Sequence, residues 1–593
     1  GECILSLQGL VDLMRQSKEV GHAAKQGQLI TGLSGGQRSV FLSTIYDPDK
    51  VMLVVTASQV QAERLAADFA GLLPEAKILV WEGNELMPHE EAPTALDLRW
   101  SRLEVLQDGY RVGTIILAPV TGLLEGLLAP ERLRNSEFSI NLDSRLNLDE
   151  VAASLVALGY ERVPLVENFG QFSIRGGILD VAPSYNRQPV RIELFGDEVD
   201  SMRIFDFTTQ KSLENIQEVT IKAARETLYD PNNLEQIKDS IWREVQIQSE
   251  RLYKLNLAQE ADDLLAQGAR HLEAFDQQGY FPGMDQYKGF FGDIVTLLDY
   301  FPKDTVVVLD EPVRLKEAAA NSSMEIGENL GQLLKRGRIL SSLSKLYWDW
   351  NELFSKFQDY DPLYLSVLGK RVAGMEALST TSVNLRMPEH FGGSIERMLR
   401  RVKQLRKEHY RILMLVSSKD RGQRLLELLH DDGVPAVYVD ELKKELQIGS
   451  CVITTGSLET GFEFSSFKMA VFTELELYGS QKTKPRPTKV EEGLRLTPQE
   501  LRIGDYVVHI NHGIGRYLGI EVLQVDNRSK DYLYIRYAGE DRLYVPTDQI
   551  HLLQRYVGME EGAPRLSKLG GNEWARGKKR AKESVREMAE GLI

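Results

Sequence analysis

Residues 51–73 read VMLVVTASQVQAERLAADFAGLL. The first eight form an unbroken apolar run of the kind buried on both faces of a parallel sheet, and the remainder carries its apolar residues at helical spacing. Both "AKILVWEG" (76–83) and "GTIILAPV" (113–120) repeat the strand pattern with a helix between them. Strand alternating with helix predicts an α/β domain over 1–136, built on a parallel sheet. Beyond it the pattern shortens, and "FGQFSIRGGILDVAP" (169–183) and "PVRIELFGDEVDSMRIFD" (189–206) alternate with period two around Gly-rich turns. This predicts a small α+β insertion over 137–222. A charge-rich helical stretch then leads to "YFPKDTVVVLDEP" (300–312), a buried strand expected to return to the first sheet. The α/β domain is therefore read as discontinuous, resuming over 223–345.

Further along, the chain is polar and weakly periodic up to residue 382, with "WDWNELFSKFQDY" (348–360) as one short helix, and 346–382 reads as a linker. A second α/β domain follows over 383–480, from "RILMLVSS" (411–418), "KDRGQRLLELLHDDG" (419–433), "SCVITTGS" (450–457) and "KMAVFTELE" (468–476). The Pro- and charge-rich "KTKPRPTKVEEG" (482–493) marks a second linker, 481–496. Two period-two stretches, "IGDYVVHINHGIGRYLGIEVLQV" (503–525) and "KDYLYIRYAGEDRLYVPTDQIHLL" (530–553), predict a small β-barrel over 497–562. Residues 563–593 read as the start of a helix. The sequence opens at Gly1 and stops inside the helix-favouring "NEWARGKKRAKESVREMAEGLI" (572–593), which reads as a piece of a longer protein.

Composition narrows the function. At 593 residues the chain exceeds what one hydrophobic core supports. No apolar run approaches the ~20 residues that span a bilayer, and no leader pattern is visible, so a cytoplasmic location without a membrane partner is expected. A net charge of −15 opposes broad nonspecific nucleic-acid binding and favours protein partners. Cys3 and Cys451 are the two cysteines, far apart, which gives neither a disulfide framework nor a multi-cysteine metal site. His509 and His512 in "VVHINHGIG" suggest a metal pair, but no third ligand lies near, and a turn or packing role accounts for them. The run Lys578, Lys579, Arg580, Lys582 and Arg586 reads as a solvated helix face, with DNA contact as the alternative.

One motif carries more information. "TGLSGGQRS" (31–39) nearly matches the phosphate loop GxxxxGK[ST], whose backbone N–H groups cradle phosphates, whose Lys reaches the outer oxygens and whose hydroxyl holds Mg²⁺. Gly32 opens it, Gly35 and Gly36 follow, and Ser39 closes it. In between, Gln37 fills the second Gly position and Arg38 the Lys position. Gln adds a side chain where the backbone must approach phosphate, and Arg replaces a compact ammonium with a planar fork. Asp310 and Glu311 end the apolar strand "VVVLDEP" (306–312) as the carboxylates of a second nucleotide motif would, although an Asp-Glu pair also ends strands without any such role. Together the two motifs read as a degenerate nucleotide site without hydrolysis.

These residues also carry a resemblance. The loop, "GGILDVAP" (176–183), "VRIELFGDEVDSMRIFD" (190–206), "LEAFDQQGYFPGMDQY" (272–287) and "LLDYFPKDTVVVLDE" (297–311) resemble, in this order, the nucleotide excision repair protein UvrB, and residues 453–478 resemble its downstream helicase-like motif. UvrB's later arginine motif is missing, and no counterpart of its aromatic DNA-inserting hairpin is found between 80 and 110. Residues 503–523 and the later "LYVP" (543–546) resemble the CarD-type domain that binds RNA polymerase. The combination is similar to one family, the bacterial transcription-repair coupling factors. The resemblance implies a degenerate helicase-like α/β domain with its insertion, a second α/β domain, a Tudor/CarD-like barrel and a monomer. It places the UvrA-binding residues on Arg175, Arg191 and Phe195, and the contact with the RNA polymerase β subunit on Leu523. It further implies that the motor, with its ATP, Mg²⁺ and DNA, lies beyond Ile593, so no cofactor and no enzyme activity are expected of residues 1–593. The resulting reading is an adaptor for transcription-coupled repair. A UvrB-like ATPase that verifies damage, and a CarD-like regulator, are the competing readings.

Overall fold

The computed structural model describes residues 7–479 apart from 18–19, 21–25, 84–95, 135, 184–187, 282, 376–378, 384 and 443–445, and further along 506–509, 513–525, 528–538, 541–546, 553–555 and 566. The sequence-assigned linker at 481–496, the terminal helix at 563–593 apart from residue 566, Cys3, His512 and the basic run from Lys578 lie outside the described residues. The chain divides into two compact units, 1–481 and 482–593.

The first unit is built on a seven-stranded sheet in the order Ser379–Ser382, Gln28–Thr31, Leu363–Ser366, Val306–Asp310, Met52–Thr56, Thr114–Pro119, Lys77–Val80. Every neighbouring pair in it is parallel. Met52–Thr56 and Thr114–Pro119 are buried throughout, as continuous apolar strands covered on both faces must be. The helix Gln59–Leu72 starts where the Ser58 side chain accepts the Gln61 N–H, which satisfies one of the donors a helix start leaves unpaired. Val306–Asp310 pairs with Met52–Thr56 in the register Val307 to Leu53, although about 250 residues separate them.

The linker expected at 346–382 is corrected. That stretch supplies the helix Trp350–Gln358, held by a reciprocal cap between Asp349 and Glu352, and two strands of the first sheet, Leu363–Ser366 and Ser379–Ser382. Trp350, Leu353, Phe354 and Phe357 point into the core beside Tyr300 and Tyr364. Ser379–Ser382 is polar in every position and forms one edge of the sheet, where no face has to be buried on both sides.

The insertion is entered and left through one antiparallel pair, Glu137–Asn141 with Glu218–Lys222. Inside lie the helix Leu148–Ala157, capped by Asn147, and a six-stranded sheet whose central hairpins are Gln171–Arg175 with Ile178–Val181 and Val190–Phe195 with Glu198–Phe205. Two 21-residue helices, Leu234–Lys254 and Ala258–Gln278, then pack on each other around Ile241, Val245, Leu264 and Phe275.

A second, five-stranded sheet runs Val437–Val439, Cys451–Thr455, Arg411–Val416, Met469–Phe472, Phe462–Phe464, parallel except for the last pair. The two sheets share a core: Val40, Phe41 and Leu117 of the first α/β domain sit in one cluster with Leu413, Leu415, Val452, Phe462 and Met469 of the second. The second unit holds a five-stranded antiparallel sheet, order Arg542–Pro546, Arg528–Arg536, Gly513–Val525, Tyr506–His509, Leu553–Arg555, around Val507, Tyr517, Leu533, Ile535, Tyr537 and Val545. Among the described residues its two outer strands are not paired with each other. No described helix is long and apolar enough to cross a membrane.

Candidate functional site

The loop after Gln28–Thr31 has the backbone of a phosphate loop and none of its vacancy. Gly32 takes φ +91°, and a Cβ there would lie 2.6 Å from the Val383 carbonyl oxygen, so only glycine fits. The helix Gly36–Ile45 follows, with its start aimed where phosphate would sit. Two of the loop's backbone donors are already engaged. The Ser34 N–H donates to Gln37 Oε1 at 3.1 Å, and the Gly36 N–H donates to Thr460 Oγ1 at 3.1 Å. Thr460 belongs to the second α/β domain, and its own atoms fill the cradle: a Cβ on Gly35 would lie 2.3 Å from Thr460 Oγ1, and one on Gly36 would lie 2.3 Å from the Thr460 carbonyl oxygen.

Arg38 completes the closure. Its Nη1 donates to Asp310 Oδ2 at 2.9 Å, its Nη2 to Glu311 Oε1 at 2.8 Å and its Nε to the Leu33 carbonyl at 3.2 Å. The guanidinium thus joins the loop to both carboxylates directly, in the space where a nucleotide's cation and outer phosphate would bridge them. Gln61 Nε2 adds a hydrogen bond to Asp310 Oδ2 at 2.5 Å, and Glu311 Oε1 also accepts the Val367 N–H at 2.8 Å. Glu311 holds the left-handed conformation, φ +59°, where the strand breaks into the helix Pro312–Lys335. Burial pushes the Asp310 carboxyl up to about 6 even though Arg38 pulls it down. Ser39, which would hold Mg²⁺ in a working loop, donates to Asp68 Oδ2 at 2.5 Å instead. Burial raises Asp68 to about 7, against the downward pull of that hydrogen bond.

The structure therefore brings Gly32, Gly35, Gly36, Gln37, Arg38, Ser39, Asp310 and Glu311 together in one cluster, joined by Arg38, in which Gln37 Nε2 and Asp310 Oδ1 are buried without a hydrogen-bond partner among the described residues. Sequence reasoning missed Thr460, Gln61 and Asp68, and no local pattern marks them. Among the described residues no group of three or more His, Cys, Asp or Glu is placed to hold a metal ion. Cys451 is buried with its thiol pushed up to about 12, as a packing residue would be.

In the insertion, Arg175 and Arg191 flank one buried carboxylate. Asp180 stands opposite Arg191 in the antiparallel register and is fully shielded from solvent. Arg191 clamps it in bidentate fashion, Nε to Oδ1 at 2.7 Å and Nη2 to Oδ2 at 2.9 Å, while Arg175 Nη2 reaches Oδ2 at 2.6 Å. Arg191 also donates to the Gln210 carbonyl at 3.1 Å and lies over the Phe205 ring at 5.0 Å. Its side chain is 17% exposed, whereas that of Arg175 is 48% exposed. Phe195 differs from both: it is 83% exposed at the end of its strand, beside the turn carried by Gly196 at φ +70°. A bare phenyl ring stands with a half-exposed guanidinium on the neighbouring hairpin, and such a ring gains most when a partner desolvates it.

Leu523 lies in the strand Gly513–Val525, opposite Lys530. That strand is internal in the sheet order, yet only residues 513–516 pair with Tyr506–His509. Among the described residues, the backbone of 517–525 is thus paired by a strand on one side only, the arrangement an added strand needs.

Against known proteins, three family models match the chain: the UvrB interaction domain over residues 138–226, the MFD, D3 domain over 405–477 and the CarD-like/TRCF RID domain over 501–557. The first spans Arg175, Arg191 and Phe195, the second Thr460, and the third Leu523. The transcription-repair-coupling factor of Bacillus subtilis (strain 168) is 35% identical over 579 residues, covering 96% of this chain and 48% of the relative. Those of Staphylococcus haemolyticus (strain JCSC1435) and Staphylococcus aureus (strain bovine RF122 / ET3-1) are 30% and 28% identical, with 96% and 95% of this chain covered and 48% of each relative. The chain spans about half the length of the curated relatives it matches.

Proposed function

This chain belongs with the transcription-repair-coupling factors, and from that premise we propose that residues 1–593 act as an adaptor, joining RNA polymerase stalled at a DNA lesion to the UvrA protein of nucleotide excision repair. One observation carries the reading. The nucleotide loop spends its donors and its cation on Thr460, Asp310 and Glu311, while Phe195 in the UvrB interaction domain stands bare. A protein whose catalytic cradle is filled and whose recognition ring is exposed works by binding rather than by turnover. UvrA meets the surface of Phe195 and Arg175, and the polymerase, through its β subunit, meets the strand that carries Leu523. The loop neither binds nor hydrolyses ATP.

The test uses Phe195→Ala in place of Arg191→Ala. Arg191 holds a buried carboxylate, so its loss changes the fold and the surface together, whereas an 83% exposed ring carries little packing. Calorimetric titration should show UvrA binding lost in Phe195→Ala with the melting temperature unchanged and polymerase β binding intact, and the reverse for Leu523→Arg. UvrA affinity in Phe195→Ala within about twofold of the parent would remove the recognition role, since a truncated anchor costs 2 kcal/mol or more, roughly thirtyfold.

A further inference from the structure

A polar recess lies where the helix Leu96–Asp108, the segment 223–227 and residues 280–288 meet. Its floor is a neutral ion network. Fully buried Arg102 donates to Glu226 Oε1 at 2.6 Å and to Glu125 Oε2 at 3.1 Å, and Lys288 Nζ donates to Glu125 Oε1 at 3.0 Å. Two cations and two carboxylates cancel there. The walls do not cancel: they present Arg99, Arg225, Thr227, Tyr280 and Asp285. Two guanidiniums against one carboxylate leave one positive charge over.

Three further facts give that charge a direction. Among the described residues neither Arg99 nor Arg225 has an ion-pair partner: Arg225 Nε donates to the Gly159 carbonyl at 2.9 Å and its plane covers the Tyr280 ring at 3.2 Å. Gly159, at φ +83°, makes this approach possible, since a Cβ there would lie 2.8 Å from the Arg225 stem. Burial lowers Arg225 to about 10 against the upward pull of Asp285 and Glu161, and neighbouring Arg99 lowers it further, which leaves it charged at neutral pH. Finally, the Thr227 hydroxyl is buried, lines the recess and has no hydrogen-bond partner. A buried donor without an acceptor beside unpaired guanidiniums is an unfinished anion site.

We propose that this recess binds a phosphate that carries a proton, either free inorganic phosphate or a terminal phosphomonoester. Its cavity volume of about 40 Å³ has room for roughly three waters or one tetrahedral oxyanion. Arg225, Arg99 and Thr227 donate to the anion. Asp285, whose carboxylate has no hydrogen-bond partner of its own among the described residues, accepts the P–OH proton. That last contact discriminates, because sulfate at neutral pH has no proton to give and meets Asp285 with two unpaired charges.

Inorganic phosphate and sulfate are titrated calorimetrically into the 593-residue chain, then into Arg225→Gln and Arg99→Gln, with melting curves to confirm folding. Saturable phosphate binding is expected, with sulfate at least about tenfold weaker, and with either substitution costing roughly tenfold to a hundredfold, the worth of a hydrogen bond to a charged group. Arg99→Gln is the decisive variant should Arg225→Gln fail to fold. A single-stranded oligonucleotide with a 5′-phosphate is then added against its unphosphorylated twin. Displacement of phosphate by the phosphorylated strand alone makes the ligand a strand end, and no displacement makes it the free ion; both support the site. No saturable phosphate binding, equal sulfate affinity, or binding indifferent to both substitutions overturns it.

Discussion

Asp180 shows how a residue expected to serve recognition, Arg191, is also one the fold depends on. With no exposure of its own it depends on Arg191 and Arg175 for compensation, and removing one member of a buried pair leaves a charge that the interior does not solvate. Arg191→Ala should therefore destabilise the insertion by about 3 to 5 kcal/mol in chemical denaturation, while Phe195→Ala, tested the same way, should fall within about 0.5 kcal/mol of the parent. Equal stabilities for the two would mean that Asp180 finds other partners. Asp68 carries a second expectation, in pH. Its folded pKa, about 7, stands above the ordinary 3.8 because burial penalises the carboxylate, and Asp310 follows it to about 6. A raised folded pKa gives stability that is complete below the unfolded value and lost as pH rises through the folded one. The first unit should be less stable at pH 8 than at pH 5, by a few kcal/mol at most, and Asp68→Asn should flatten that slope while keeping an acceptor for Ser39. A slope unchanged in Asp68→Asn would assign the effect elsewhere.

The helix Gly36–Ile45 and the strand Val306–Asp310 divide what local sequence can reveal from what it hides. The strand–glycine–helix form of the loop, the apolar runs of the first sheet and the carboxylates at 310 and 311 were all legible, because each is a pattern within about ten residues. The partners were not. Arg38 meets Asp310 across 272 positions and Gly36 meets Thr460 across 424, and no periodicity records a contact of that range. The same limit hid Leu363–Ser366 and Ser379–Ser382: a four-residue strand and a wholly polar one carry too little pattern to distinguish them from a linker, and only pairing with Gln28–Thr31 makes them sheet. The closed loop then yields an expectation that motif reading alone would invert. Restoring the motif with Gln37→Gly and Arg38→Lys should not restore ATP binding, because Thr460 still occupies the Gly36 N–H and the cradle. It should instead lower stability, since Lys reaches one carboxylate where Arg38 spans two. Equilibrium binding of a fluorescent ATP analogue to the double variant is the check, and tight binding would show that the plug yields readily.

Taken whole, the chain pairs one large folding body with one small one, and the two surfaces proposed for recognition are divided between them: Phe195 and Arg175 in 1–481, Leu523 in 482–593. Within the first body the two parallel sheets are not separate in energy, because Leu117 of one and Leu413 and Val452 of the other lie in a single buried cluster. Unfolding should proceed through that cluster as one transition, with no stage in which one sheet survives the other. The second body has its own core in Val507, Tyr517, Leu533, Ile535, Tyr537 and Val545, the condition for folding alone. Residues 1–481 expressed by themselves should melt within about 2 °C of the same transition in the full chain, a change below about 1 kcal/mol for a body of this size. They should also keep full affinity for UvrA, while 482–593 keeps its affinity for the polymerase β subunit. A fall of 5 °C or more on removing the small body, or loss of UvrA binding with it, would mean that the adaptor's two ends are energetically coupled. Unchanged values would mean that coupling between the two partners comes from tethering alone, through the effective concentration that one covalent chain imposes on both.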